Sequence, residues 1–419
     1  MSIDLFNQLG DEIERRWLGA NYSEAELPAI AKQALLEFDL PSKTTPWEAI
    51  EWALSEREMP TQRDLAARFA QPPVTLYNAP RFHIDIYFWF TSTTALHQHA
   101  FCGAFQVFEG SSLHSWYEFE RDESVNMFTE TGKLALKVCQ ILQKGATQEI
   151  WPGRQYIHSL FHLDEPSATI VVRTHLSPLE KPQFSYYKPG LAVDPYFDDD
   201  TAAKKRQLVM ALLQARRPDA DDLIEKLLNE SDFQTSFVLM THLRGALRND
   251  QIEQAFGVGA GSARFERFLG VIEDRHGRTA DILRPVFDYM EIQTQLVDKR
   301  KFVSQPEQRF LFALLLNIDD REHILELVRQ RYPDEDAVEK VLDLIFDLSQ
   351  SRIFGQDKNV LGFDVGAAEL FALEGLLRGK QDDEIAAEFA TESAAADPEV
   401  LQKALTTLRS AVTLRPLFS

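Results

Sequence analysis

Three successive patterns of hydrophobic and polar positions divide the chain, and each is typical of a different kind of structure. From residue 3 to residue 70, apolar side chains recur at the spacing of one helix face, as at Leu5 and Leu9. From residue 74 to residue 190, β-branched and aromatic residues alternate with polar ones between Gly and Pro turns, as in strands. The helical pattern then returns and continues to the end of the sequence. The patterns predict a helical segment, a sheet-rich unit and a long helical region.

The N-terminal pattern predicts four helices. The stretch Pro41–Pro46 interrupts it, because a proline ring cannot continue the helical hydrogen-bond ladder. Thr61 and the acidic residue three positions later resemble a helix-capping box. The predicted helices are Leu5–Trp17, Ile30–Phe38, Trp47–Ser55 and Thr61–Phe69.

The middle region contains eight predicted strands, which is the number that a small β-barrel needs. They are His83–Phe90, Ala95–Phe101, Ala104–Glu109, Leu113–Glu120, Gln148–Ile150, Tyr156–Phe161, Thr169–His175 and Gln183–Tyr187. Between the fourth and fifth strands, residues 126–143 favour a strand followed by a helix, because the stretch Gly132–Cys139 fits both periodicities.

The C-terminal pattern begins at Asp198–Asp200, and acidic residues are typical of helix N-termini. Its best-formed helical stretches are Arg309–Leu316, His323–Arg331 and Ala337–Ser349. They predict a helical bundle or an irregular array of helix pairs. No recognisable chemistry lies beyond residue 200.

Composition narrows the classes of partner and the compartment. The chain of 419 residues has a net charge of −21 and a pI near 4.9, which argues against nucleic acid or an anionic membrane as its partner. Its two cysteines provide no disulfide framework, as expected in a reducing compartment. The N-terminus has neither a basic region nor a long apolar core, so we expect a cytoplasmic protein without a signal peptide or membrane span.

Candidate chemistry is concentrated in the histidines of the middle region. Seven of the ten histidines fall between His83 and His175. Side chains alternate along a strand, so His97 and His99 face the same side and form part of a metal site if a third ligand arrives from elsewhere. His158 is the preferred third ligand, and His162 stays open as its alternative because both face one side of an extended strand.

Two stretches, Leu96–Gly110 and Gly145–His158, resemble the paired motifs of the cupin superfamily. The first has His-x-His and a closing Gly110; the second has a Pro-Gly turn followed by a histidine, with slightly longer spacing. The resemblance covers residues 80–190. It implies an α+β chain in which a cupin-type antiparallel β-barrel holds one metal through His97, His99 and His158. The barrel is flanked by a short N-terminal helical segment and a large C-terminal all-α region, with boundaries at 1–75, 76–195 and 198–419.

Gly103 stands where the cupin motif has a glutamate, which implies a three-histidine site. Neutral imidazoles suit Fe(II), Ni(II), Cu(II) or Zn(II) and do not suit Mg(II) or Ca(II). Glycine leaves space at the metal, so Gly103→Glu is expected to bind metal and lose substrate-dependent O₂ uptake. The alternative is that Gly103 relieves crowding between two strands, in which case the change disrupts folding.

Among cupins, this variant resembles the thiol dioxygenases of the cysteine dioxygenase type. Phe82–Trp89 is similar to the strand before the His-x-His motif, and Asp164–His175 to the turn and strand after the third ligand. The chain departs from that family because no tyrosine stands where the family's relay ends. The resemblance implies Fe(II), O₂ and a small substrate that carries a thiol or another bidentate donor. In this reading Arg81 neutralises a substrate carboxylate, and Cys102, His162 and His175 shape the surroundings of the metal.

Two other hypotheses remain. The barrel is a non-catalytic metal- or ligand-binding cupin whose helical domain mediates protein interaction or signalling, or the helices bring a peptide or carrier-bound substrate to the barrel. The large helical regions on both sides of the barrel motivate both, since dioxygenases of this kind do not need them. Retained iron without O₂ uptake would favour the non-catalytic reading.

Overall fold

The computed structural model describes most of the chain: residues 3–65, 70–90, 93–176, 180–195, 199–248, 260–300, 302–303, 305–351, 359–392 and 397–418. Four helices precede the sheets: α1 (Ile3–Gly19), α2 (Leu27–Phe38), α3 (Leu40–Lys43) and α4 (Pro46–Ser55).

The N-terminal helices form where the apolar spacing predicts three of them. α1 buries Phe6, Leu9, Ile13 and Trp17 on one face, and α4 begins after Thr45, whose side chain accepts a hydrogen bond from the Glu48 amide. The prediction of a fourth helix at Thr61–Phe69 is wrong for residues 61–65, which are not helical. Residues 66–69 lie outside the described residues.

Eleven strands follow in the described part of the chain. They are β1 (Pro73–Asn78), β2 (Phe82–Trp89), β3 (Thr93–His99), β4 (Gly103–Glu109), β5 (Ser112–Asn126), β6 (Thr129–Leu142), β7 (Thr147–Ile150), β8 (Gly153–His162), β9 (Ser167–Thr174), β10 (Ser185–Tyr187) and β11 (Leu191–Val193).

The strands form two antiparallel sheets. A five-stranded sheet has the order β1-β2-β9-β4-β7, and a closed six-stranded barrel has the order β10-β11-β6-β5-β8-β3. The barrel closes where Ser185 of β10 pairs with His97 of β3. The expected α+β fold, with a closed antiparallel barrel between helical regions, is therefore confirmed.

Residues 126–143 do not contain the expected helix. β5 and β6 instead form one long hairpin that pairs from Ser112–Leu142 to Asn126–Thr129. The sequence of β6 fits both a helix and a strand, but burial along β6 alternates from Gly132 to Lys137. Pairing with β5 along its length settles the conformation, which local periodicity leaves undecided.

The C-terminal region is helical in its described parts. Its helices are α5 (Asp200–Gln214), α6 (Ala220–Glu230), α7 (Phe233–Arg248), α8 (Ala260–His276), α9 (Leu283–Arg300), α10 (Pro306–Asn317), α11 (Arg321–Arg331), α12 (Ala337–Gln350), α13 (Ala367–Leu377), α14 (Asp382–Glu392) and α15 (Pro398–Ser410), with 3-10 turns at Gly277–Ile282 and Val412–Leu417. Aspartates cap several of them; Asp199 accepts from the Ala202 amide, and Asp336 from the amides of Val338 and Glu339. The expected cap residue Asp198 lies outside the described residues.

The helical regions cover the sheets on different sides. The N-terminal helices share one core with the outer face of the five-stranded sheet, which includes Ile84 and Val172. The C-terminal helices α10–α15 share another core with the barrel side chains Leu113 and Phe161. Residues 309–317 of α10 are all buried, so this helix is the centre of that core.

Buried polar contacts also join the C-terminal helices to the barrel. Asn317 at the end of α10 accepts hydrogen bonds from Tyr117 through its carbonyl, at 3.0 Å, and from the Ser159 hydroxyl through its side chain, also at 3.0 Å. Arg300 of α9 donates to the carbonyl of His162 at 2.7 Å. Hydrogen bonds at strands β5 and β8 therefore join the barrel to the C-terminal helices. The expected domain boundaries stay predictions. Among the described helices, none is long and apolar enough to cross a membrane.

Candidate metal centre

Side chains from both sheets meet in one apolar cluster, which is the inter-sheet core. It contains Tyr87, Trp89, Phe101, Phe105, Val107, Leu142, Ile150, Tyr156 and Val171, with Trp116 packed against it. Residues of odd number on β2, β4 and β9 point into this core, and those of even number point to the N-terminal helices. On these three strands, odd-numbered residues therefore face the inter-sheet core, and even-numbered residues face away from it.

His97, His99 and His158 converge beside this core. His97 of β3 and His158 of β8 are direct partners in the strand register, and irregular pairing flanks His97 on both sides. The ligand atoms of the three residues lie within 4.8 Å of one another, and the Nε2 atoms of His99 and His158 are 2.8 Å apart. Among the described residues, this is the one group of histidine, cysteine and acidic side chains within ligand reach. The structure therefore brings together the three expected ligands.

The hydrogen bonds of the ring nitrogens orient two of these histidines. His97 Nδ1 lies 2.7 Å from the carbonyl oxygen of Ala95. A carbonyl only accepts, so Nδ1 carries the proton and Nε2 presents its lone pair. His158 Nδ1 lies 2.6 Å from Nε2 of His114, while its own Nε2 faces His99. Such an arrangement is typical of metal-binding histidines.

Burial keeps the three imidazoles neutral. His97, His99 and His158 are 9%, 5% and 3% exposed. Loss of hydration lowers the pKa of His97, and the hydrogen bond to the Ala95 carbonyl opposes this effect without cancelling it. It lowers the pKa of His99 and His158 well below the ordinary value, with further lowering from the neighbouring histidines. A metal binds only the neutral form, so the ligands need no deprotonation at neutral pH.

The donor set fits one transition-metal ion. Two nitrogens bound at right angles to one ion at about 2.1 Å would be about 3 Å apart, close to the 2.8 Å between His99 and His158. Three imidazoles suit Fe(II), Ni(II), Cu(II) or Zn(II). In the described part of the chain no acidic side chain joins the group, so the ligand set adds no negative charge.

Gly103 does not leave open space for a ligand. Its φ is +156°, and a Cβ atom there would lie 1.9 Å from the carbonyl oxygen of Val172 on the paired strand β9. The absence of a side chain is required by the close approach of β4 to β9. The expectation that Gly103→Glu would restore a metal ligand is corrected: the alternative, relief of crowding, describes this position.

Arg173 is the cation beside the three histidines. Its guanidinium lies over the ring of Phe101, with Cζ 3.3 Å from the ring centroid, and the Phe101 and His99 centroids are 4.3 Å apart. The charge of Arg173 contributes to lowering the pKa of His99. The Arg173 guanidinium also donates a hydrogen bond to the Tyr87 hydroxyl at 3.4 Å. Among the described residues, no carboxylate forms an ion pair with Arg173.

Two of the four residues expected around the metal lie on the other side of the five-stranded sheet. Arg81 is exposed, and its guanidinium lies over the ring of Tyr22 of the N-terminal segment, 4.3 Å from the centroid. Cys102 belongs to the core under the N-terminal helices, and its Sγ is 3.9 Å from the Thr174 hydroxyl. Burial raises the pKa of the Cys102 thiol to about 11, so it is not a thiolate at neutral pH.

The other two expected residues, His162 and His175, are also separate from the three clustered histidines. His162 stacks on Trp89, with centroids 4.7 Å apart, and its Nδ1 is 2.8 Å from the Ser167 hydroxyl. It is outside the group of His97, His99 and His158, so His158, and not His162, lies within ligand reach of the other two histidines. His175 is half-buried, stacks on His83 with centroids 5.3 Å apart and lies 3.5 Å from Arg63.

His114 is a residue of the site that the sequence did not single out. It is fully buried, bonds to His158 and stacks on Trp116 with centroids 4.0 Å and planes 9° apart. The alternation along β5 could have indicated that His114 and Trp116 share a face of the strand. In the structure, Trp116 pairs with His158 in the register of β5 and β8. That pairing could not be known from one sequence.

Comparisons with known proteins give a fold likeness only. No protein-family model matches the sequence, and no curated protein matches it. A cupin-2 domain protein from Shewanella frigidimarina is 12% identical; the match covers 32% of this chain and 99% of that one, with a TM-score of 0.19. A protein with a double-stranded β-helix domain from Klebsiella pneumoniae is also 12% identical, with 32% and 98% covered and a TM-score of 0.19.

The DMSP lyase DddQ from Ruegeria pomeroyi is another similar structure. It is 15% identical, and the match covers 43% of this chain and 95% of that one, with a TM-score of 0.22. Likenesses at these identities and scores decide neither activity nor substrate. The closed antiparallel barrel brings together a three-histidine group that could hold a metal ion.

Proposed function

We propose that this protein is a non-haem iron(II) dioxygenase that acts on a small, anionic, metal-chelating substrate such as a thiol. The observation that carries the proposal is the convergence of His97, His99 and His158, without an acidic ligand among the described residues. Three ligands on one side of an ion leave other coordination positions for substrate and O₂. Iron(II), when bound, would supply the electrons for activating O₂ and would orient both reactants.

The charges around the site favour an anionic substrate. A divalent ion held by three neutral imidazoles keeps its charge of +2, and the guanidinium of Arg173 adds another positive charge close to His99. An anionic bidentate ligand would compensate both charges, whereas a neutral one would leave them in a poorly solvated interior. In this proposal Arg173, rather than Arg81, binds the negative group of the substrate that does not contact the metal.

The surrounding side chains would exclude water and limit substrate size. Phe101, Tyr156 and Trp116 pack around the histidines; Tyr156 lies 4.6 Å from His158 and 6.2 Å from His99 between ring centroids. Exclusion of water from this interior would strengthen the attraction between Arg173 and an anion. The dense packing of rings favours a substrate of a few heavy atoms.

The second candidate is a non-catalytic cupin that binds a metal or small ligand and signals through its helices. One observation favours it: Asn317 of α10 accepts a hydrogen bond from Ser159, the residue next to His158. A change in β8 on ligand binding would therefore reach the helical region directly. The helices would then be the surface that a protein partner reads.

Oxygen consumption by iron-loaded protein distinguishes the two candidates. The protein is purified without oxygen, loaded with Fe(II), and tested with a panel of small thiols and other anionic chelators. A dioxygenase consumes O₂ only with substrate, and Arg173→Met should raise KM by about 10–100-fold because a charged hydrogen bond contributes about 1.5–3 kcal/mol.

Arg81→Met is the matched control, since it removes an arginine that lies outside the site and should leave KM unchanged. Stoichiometric iron with no O₂ uptake for any compound would favour the non-catalytic candidate. Equal effects of Arg81→Met and Arg173→Met would contradict the assignment of Arg173.

A further inference from the structure

His114 is held on two sides inside the barrel. Its Nε2 is 2.6 Å from His158 Nδ1, and its ring lies flat against the indole of Trp116. The side chain has no exposed surface. A ring fixed by both a hydrogen bond and a stacking contact cannot rotate without losing one of them, so His114 presents Nε2 to His158 in a defined direction.

The chemistry of imidazole determines what this contact does. If Nε2 of His158 binds a metal, the proton of the neutral ring must reside on Nδ1. That N–H is buried and needs an acceptor, and His114 Nε2 is the atom in position. When His114 accepts this bond, its own proton lies on Nδ1, which has no hydrogen-bond partner among the described residues; without His114, the buried N–H of His158 would be unpaired as well, at a cost of about 1–3 kcal/mol. The opposite arrangement, with His114 donating, would put the His158 proton on Nε2 and block metal binding.

We propose that His114 is a positioning residue of the metal centre, which accepts a hydrogen bond from His158 and thereby holds His158 in the metal-binding tautomer. The inference rests on the proposed metal site. Carboxylates and backbone carbonyls are common partners of metal-binding histidines, and Ala95 has that role for His97. A neutral histidine in the role leaves the positive charge of the metal uncompensated, which agrees with an anionic substrate.

The test compares variants that keep or remove the acceptor. In His114→Gln, the side-chain amide oxygen can reach the position of the imidazole Nε2. In His114→Phe, the ring and its stacking on Trp116 remain, but no acceptor is left. His162→Phe is the matched control, because His162 is a buried histidine of the same barrel that lies outside the ligand group.

The measured quantities are the dissociation constant for Co(II), obtained by competition with a chelator, and the visible spectrum of bound Co(II). His114→Phe should weaken Co(II) binding by about 10–100-fold and change the spectrum. His114→Gln should stay close to the parent protein in both, and so should His162→Phe. Circular dichroism establishes that each variant is folded.

The outcomes are distinct. Parent-like affinity in His114→Phe would overturn the inference, and so would equal losses in His114→Phe and His114→Gln. If His114→Phe does not fold, His114→Met replaces it as the variant without an acceptor of this kind. A parent protein that binds no Co(II) would overturn the metal site itself. Affinity loss in His114→Phe with no O₂ uptake by the parent would leave this inference standing and refute only the dioxygenase.

Discussion

His162 provides a quantitative test of the site assignment through the pH dependence of stability. The side chain is 2% exposed, and burial, helped by the charge of Arg300, lowers its pKa from 6.5 to about 3. As the pH falls through 6.5, the unfolded chain takes up a proton at this residue and the folded protein does not. The stability contributed by neutral His162 is therefore complete above pH 6.5 and is lost progressively as the pH falls towards 3.

The size of this pH-dependent loss of stability follows from the lowered pKa of His162. Between pH 6.5 and pH 3, each unit by which the pH falls lowers the free energy of unfolding by about 1.4 kcal/mol, because the unfolded chain binds one proton that the folded protein does not. At pH 5, the titration of His162 therefore lowers the free energy of unfolding by about 2 kcal/mol. His162→Asn removes the titration and keeps an amide oxygen near the position of Nδ1, where Ser167 can donate to it. The variant should therefore lose about 2 kcal/mol less stability than the parent between pH 7.5 and pH 5.

Urea unfolding of the metal-free proteins, followed by near-ultraviolet circular dichroism at the two pH values, measures this difference. Comparing each protein with itself cancels any pH-independent cost of the substitution. Identical pH dependence in parent and variant would show that His162 titrates normally in the folded state and would refute its burial as described. Loss of iron binding in His162→Asn would make His162 a ligand and would refute the choice of His158.

Three further predictions concern the surroundings of the site. Gly103→Ala should lower the free energy of unfolding by about 2–6 kcal/mol, because overpacking and a positive φ each cost about 1–3 kcal/mol; a melting temperature equal to the parent's would contradict the close approach to Val172. Asn317→Leu leaves the buried Ser159 hydroxyl without its acceptor and should cost about 1–3 kcal/mol, with faster amide exchange in β8; unchanged exchange would argue against the proposed route from site to helices. Cys102 and Cys139 are buried, and burial raises the pKa of each thiol to about 11, so a thiol reagent at pH 8 should modify neither until the protein is unfolded. A rapidly reacting thiol in the folded protein would contradict this placement.

The three histidines of the candidate site were predictable because local rules decide which side of each strand they face. His-x-His on a strand fixes a common face, and the Pro152–Gly153 turn begins the strand that carries His158. Gly153 has a φ of +67°, which favours glycine there. The remaining step, the choice of His158 as the third ligand, was supplied by the motif resemblance; the pairing of β3 with β8 is what brings His158 beside His97.

The residues around the three histidines were harder to predict because they depend on the packing of separate elements. Arg81 precedes the first residue of β2, and its direction is set by Tyr22, far away in the sequence. Cys102 lies one position from Phe101 and faces the opposite side, which alternation could have indicated. Arg173 shares its face with Thr169 and Val171, so the sequence could identify it as a pocket residue but not as a neighbour of His99.

Two other features could not be predicted from local sequence patterns: the hairpin of β5 and β6, and the packing of α10 against the barrel. The β6 sequence fits two periodicities, and only its partner strand decides between them. The contact between Asn317 and Ser159 joins residues 158 positions apart. No local pattern encodes such a contact, although a buried asparagine at the end of an apolar helix is an unusual feature that needs a partner.

Metal stoichiometry in matched variants tests the central claim most directly. The parent, His99→Ala and His162→Asn are reconstituted with Fe(II) without oxygen, desalted, and analysed for iron and protein concentration, with circular dichroism as the check of folding. We expect one iron per chain in the parent and in His162→Asn, and almost none in folded His99→Ala, since removal of one of three neutral ligands leaves two. Stoichiometric iron in His99→Ala, or none in the parent, would contradict the three-histidine centre.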